Sequence, residues 1–133
     1  MFFLASEKKM TLIYNYTFAY GCLHRLPIPN TTLDTTFTPK EEKDVLMEIF
    51  RQTAGKEWRN HAHWGDDSVG HCFWYGITCE HTNNYIISIY LARNNLVGSL
   101  PRSLWKLRNL QGLCLGGNRG LVGHPSEIFC LPI

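Results

Sequence analysis

The sequence predicts an α/β solenoid: an N-terminal helical cap, then a short right-handed solenoid with a parallel sheet on its concave face. Three observations carry this expectation. Residues Ile86, Ile89, Leu91, Asn94, Leu96, Gly98, Pro101 and Leu104 recur as Leu110, Leu113, Leu115, Asn118, Leu121, Gly123, Pro125 and Ile128, six of the eight at an interval of 24. A repeat of that length marks units that must stack on a neighbour to bury their apolar side. Ile89 and Leu91 are two apart, which on a strand points both side chains to one face. Upstream, Thr38-Pro39-Lys40-Glu41 combines an N-cap, a proline at the first helical position and the reciprocal glutamate of a capping box.

The helix should run from about Pro39 to about Ala54, because Val45, Leu46, Ile49 and Phe50 follow at helical spacing. Gly55 reads as its C-terminal stop. In the repeats, Asn94 and Asn118 stand where the strand turns inward. An amide there can satisfy turn backbone groups that would otherwise be buried and unpaired. Gly98 and Pro101 belong to the returning segment, where proline excludes a strand interior. The residues alternating with the core positions face the concave side: Ser88, Tyr90, Ala92 and Arg93 in the first unit, Gly112, Cys114, Gly116 and Gly117 in the second. That surface is the usual binding face of a solenoid. Tyr90 and Arg93 have the side chains typical of interface hot spots. The alternative reading leaves the whole set merely solvent-exposed.

The spacing of Ile86, Ile89, Leu91, Asn94 and Leu96 fits the pattern L-x-x-L-x-L-x-x-N-x-L, so each unit resembles a leucine-rich repeat. The continuation L-V-G-S-L-P-R-S-L from Leu96 resembles the plant-type form, with Leu100 in place of its usual isoleucine. The second unit departs more: Gly120 reads as an insertion and His124 fills the apolar slot. Before the repeats, T-A-G-K-E-W and C-F-W-Y-G-I-T-C resemble the capping domain that precedes plant-type repeats, matched at Gly55, Trp58, Trp64, Cys72, Trp74, Gly76, Ile77 and Cys79. The resemblance covers about Pro39 to Ile128. It implies a Cys72–Cys79 disulfide, and that Trp58, Trp64 and Trp74 pack the cap onto the first strand. Members include receptor-kinase ectodomains, receptor-like proteins and secreted inhibitors. It therefore implies extracellular recognition of protein, peptide or carbohydrate ligands.

Length allows one domain, read as a poorly ordered leader (1–37), a cap (38–85) and two repeats truncated at the C-terminus (86–133). A net charge of +2 suggests no nucleic-acid partner. No stretch reaches the roughly 20 apolar residues of a membrane span. Five cysteines leave at least one thiol unpaired within the chain. Sequons at Asn15 and Asn30 agree with secretion. The N-terminus does not, since Glu7, Lys8 and Lys9 interrupt any signal-peptide core. An incomplete solenoid should expose Leu113, Leu115, Leu121, Ile128 and Phe129. That end is then open for self-association, or the chain is a fragment without a function of its own.

Chemistry is hard to find. Six histidines raise a zinc alternative around His61, His63, His71, Cys72, Cys79 and His81. The Cys72–Cys79 gap exceeds that of structural zinc sites, and the resemblance assigns the pair to a disulfide. Cys114 is the best candidate thiol, set beside Tyr90 by the register, with no positioned base. Asp66 and Asp67 are adjacent and form no acid/base pair by spacing. The glycines follow repeat positions, not a phosphate loop. The reading is a recognition module with no catalysis, no cofactor and no metal.

Overall fold

The computed structural model describes residues 37–122, together with the backbone of two strands in the leader, β1 (Tyr16–Ala19) and β2 (Cys22–Arg25). The sequons at Asn15 and Asn30 lie outside the described residues, as do Gly123, His124, Pro125, Ile128, Phe129 and Cys130.

Helix α1 spans Pro39–Gln52. Its capping box forms: the Thr38 hydroxyl accepts the Glu41 N–H at 3.3 Å, and the Glu41 carboxylate accepts the Thr38 N–H at 2.6 Å. Val45, Leu46 and Ile49 are buried. The helix ends earlier than its spacing suggests, at Thr53, whose hydroxyl and N–H both return to the Ile49 carbonyl. Ala54, not Gly55, takes the left-handed conformation, with φ 55°. Gly55 serves another need: a Cβ there would stand 2.0 Å from the Phe50 ring. The glycine lets the chain cross directly over that ring.

Strand β3 (Ile77–Cys79) closes the cap and pairs antiparallel with β4 (Ile86–Tyr90). The chain then passes through β5 (Val97–Ser99) and a 3-10 turn (Arg102–Lys106) to β6 (Gly112–Cys114), which lies parallel to β4. The last described strand, β7 (Gly120–Val122), lies parallel to β5. The large sheet has the order β1-β2-β6-β4-β3, and β5 with β7 forms a second, two-stranded sheet. Between the sheets Ile86, Ile89, Leu91, Leu96, Leu104, Leu107, Leu110 and Leu113 are almost wholly buried, continuous with the helix and the cap tryptophans.

Three expectations are corrected. The leader contributes two strands: β2 pairs antiparallel with β6, so the edge of the last repeat strand carries a partner. Leu113 and Leu115 are 2% and 6% exposed, because they pack in the shared core and not on an open face. The second convex segment also runs in a different register. Its ladder sets Leu121 against Gly98, whereas the repeat alignment sets Leu121 against Leu96.

Candidate functional site

The face of the large sheet turned away from the core is assembled row by row. Thr78 of β3, Ser88 of β4 and Gly112 of β6 are register partners, and Tyr90 stands beside Cys114. Tyr90 is 55% exposed. Ser88, Ala92 and Gly112 are half-buried, and Arg93 is exposed. Cys114 departs from its expected place on the open surface. It is 8% exposed and disulfide-bonded, which withdraws it as a nucleophile. The cause lies in the topology, since β2 pairs along β6 and sets Cys22 opposite Cys114 in the register. Thr78, exposed in the same row, was missed by the repeat pattern because it belongs to the cap. The alternation of Ile77 and Cys79 around it was the available signal.

The cap adjoins this sheet through the pairing of β3 with β4. Cys72 and Cys79 form a disulfide with Cα atoms 5.5 Å apart. Trp58, Trp64 and Trp74 are buried in one aromatic run, with ring centroids 4.8 Å and 5.2 Å apart. Each indole N–H finds a backbone carbonyl: Trp58 to Thr53 at 2.9 Å, Trp64 to Tyr75 at 2.9 Å, Trp74 to Val69 at 3.1 Å. These bonds remove the cost of burying the polar end of each ring.

The asparagines bind the layers together. The Asn118 carbonyl oxygen accepts the N–H groups of Asn94 and Leu96, and its amide donates to the carbonyls of Leu91 and Leu115. Asn94 repeats the arrangement one layer earlier, accepting from the Asn60 N–H and donating to the Asn60 carbonyl. The ladder thus continues into the cap, outside the periodic positions.

Two ionisable groups are perturbed by burial. Glu42, 1% exposed, accepts the Ile86 N–H at 2.7 Å and ties α1 to the start of β4. Burial pushes its carboxyl up to about 7, against the opposing pull of that N–H. His71 is buried, and desolvation holds its imidazole below the usual value. The ligand atoms of His71, Cys72 and Cys79 lie within 4.8 Å of one another. With the two sulfurs joined, neither offers the thiolate that zinc requires.

No family model matches the chain. Over 54 residues it is 33% identical to a leucine-rich-repeat receptor-like serine/threonine-protein kinase of Oryza sativa subsp. japonica, covering 41% of this chain and 6% of that one. Over 52 residues it is 38% identical to a leucine-rich repeat receptor protein kinase of Arabidopsis thaliana, covering 39% of this chain and 4% of that one. Among solved structures it resembles a leucine-rich repeat protein from Bacteroides eggerthii, with a TM-score of 0.52 and 23% identity over 69% of this chain and 15% of that chain. That likeness establishes the fold. The chain spans only a small part of the length of these relatives.

Proposed function

We propose, from the premise that this chain is a plant-type leucine-rich-repeat protein, that it is a non-catalytic recognition module acting outside the cell. Its ligand is a protein, peptide or carbohydrate held on the outer face of the large sheet. Ser88, Tyr90, Ala92, Arg93 and Gly112 supply the surface, and Cys114 anchors the strand beneath it. One observation carries the reading. Tyr90 is 55% exposed on a sheet whose other face is packed with fully buried aliphatic side chains. An aromatic ring offers large contact area at low entropic cost. The relatives are named as receptor kinases, and the Cys72–Cys79 disulfide agrees with an oxidising compartment. Among the described residues no helix is long and apolar enough to cross a membrane.

The competing reading, assembly through an open solenoid end, loses support from the burial of Leu113 and Leu115 and the pairing of β2 with β6. The test is a panel of peptides and oligosaccharides screened against the oxidised chain. Binding lost on Tyr90→Ala or Arg93→Ala, but kept on Phe73→Ala, supports the surface named. Phe73 is 77% exposed on the cap and controls for general stickiness. Binding indifferent to both sheet substitutions overturns the reading.

A further inference from the structure

Three arginines from three separate segments line one cleft of about 500 Å³. Arg59 comes from the cap, Arg93 from the turn after β4 and Arg119 from the turn after β6. Asn95, Gly117 and Gly120 complete the wall. We propose that this cleft is a binding site for an oxyanion, a carboxylate or a sulfate or phosphate group, carried by an acidic ligand.

The repeat builds the cleft. Arg93 and Gly117 are equivalent positions one period apart, as are Asn95 and Arg119. Arg93 and Gly117 both have left-handed backbone, with φ 52° and 77°. The missing side chain at Gly117 is what seats Arg93: a Cβ there would stand 2.6 Å from Arg93 Cγ. The Arg93 stem therefore lies across the next layer, and its N–H is fixed to the Gly116 carbonyl at 2.8 Å. Arg59 is placed by its own N–H, which donates to the Asn94 carbonyl at 3.1 Å. Asn95 is held by donating its side-chain amide to the Glu57 carbonyl at 3.0 Å. The walls are thus set by contacts to backbone groups, and among the described residues no ion pair engages the three guanidinium groups.

Charge decides what such a cleft takes. Among the described residues the ion pair present joins Lys43 to Asp67 and involves none of these three arginines. No acidic residue is among the six described residues that line the cleft. Cations sharing one cleft repel one another, and an anion between them reverses the sign of that interaction. Planar guanidinium forks match a carboxylate or phosphate in a bidentate manner, which lysines would not. The proposal shares Arg93 with the recognition surface and stands without it, because Arg59 and Arg119 lie outside that surface.

The test is an amide and guanidinium NMR titration of the full oxidised chain with sulfate, phosphate and acetate, at ionic strength held constant with sodium chloride. Saturable shifts at Asn95, Gly117 and Gly120, with a midpoint on the order of 1 mM, are expected for at least one anion. Preference for sulfate and phosphate over acetate identifies a tetrahedral group, and the reverse order a carboxylate. Arg119→Gln and Arg59→Gln should each weaken binding about tenfold. Tyr90→Ala should leave it unchanged, so that failure of the sheet-face reading does not touch this one. Linear, unsaturating shifts spread over the basic surface, or equal affinity in both arginine variants with unchanged amide spectra, overturn the proposal. Arg119 is exposed in a turn, so its variant keeps the test valid if another fails to fold.

Discussion

The side-chain oxygen of Asn118 accepts the backbone N–H of Asn94 at 2.9 Å, across a sequence distance of 24 residues, one full repeat. The periodicity read from the sequence is thereby a physical contact. One asparagine serves the backbone of its own layer through Leu115 and of the preceding layer through Leu91.

Asn118→Ala should therefore be costly. It leaves two buried carbonyls and the N–H groups of Asn94 and Leu96 without the partner they have now. The expected loss is about 2–5 kcal/mol in denaturant unfolding, since each orphaned buried group costs roughly 1–3 kcal/mol. A loss below about 1 kcal/mol would mean that water replaces the amide.

Trp74→Ala removes a ring that is 1% exposed and lies tilted against Trp64 at the end of the cap's aromatic run. Truncation of a buried aromatic costs about 3–5 kcal/mol. Equilibrium unfolding measures it, and a loss under about 1 kcal/mol would show that the cap core does not depend on this ring.

Glu42 links stability to pH with an unusual sign for a carboxylate. Its folded value, about 7, lies above its ordinary 4.5, so the folded state holds the proton more tightly. The contribution is fully present below about pH 4.5 and is lost as pH rises through about 7. Glu42→Gln keeps an acceptor for the Ile86 N–H and removes the charge. At pH 8 it should stabilise the chain by up to about 3 kcal/mol, and at pH 4 by almost nothing. His71 acts in the opposite direction, its stabilising contribution being lost as pH falls below the usual histidine range. The difference between variant and parent cancels that term. Equal stabilisation at both pH values would contradict the assignment.

Removing the Cys72–Cys79 bond in a double serine variant should cost about 2.5 kcal/mol, as expected for a short closed loop. The measurement is the shift in denaturation midpoint under non-reducing conditions. No shift would mean that packing of the His71–Phe73 turn and Trp74 alone holds the loop.

Much of this architecture was legible because its causes are local. The capping box sits within four residues, and the α1 stripe and the repeat strands follow fixed periods. The parts that were not legible depend on contacts distant in sequence. Glu42 reads as an ordinary acid in a first helical turn, and only the arrival of the Ile86 N–H explains its burial. Nothing periodic in Tyr16–Ala19 or Cys22–Arg25 announces pairing with β6, so the burial of Cys114 was also hidden. Arg59 and Arg119 carry no motif; the fold alone brings them to Arg93. Gly55 has the residue type of a helix stop but is required by the Phe50 ring.

The central claim is an oxidised, capped repeat scaffold that presents one sheet face outside the cell. Non-reducing peptide mapping of the chain from its native source tests it most directly. The account predicts Cys72 joined to Cys79, and Cys114 recovered in a disulfide and released with its partner peptide only on reduction. Free thiols at Cys72, Cys79 and Cys114, in material alkylated before extraction, would place the chain in a reducing compartment and contradict it.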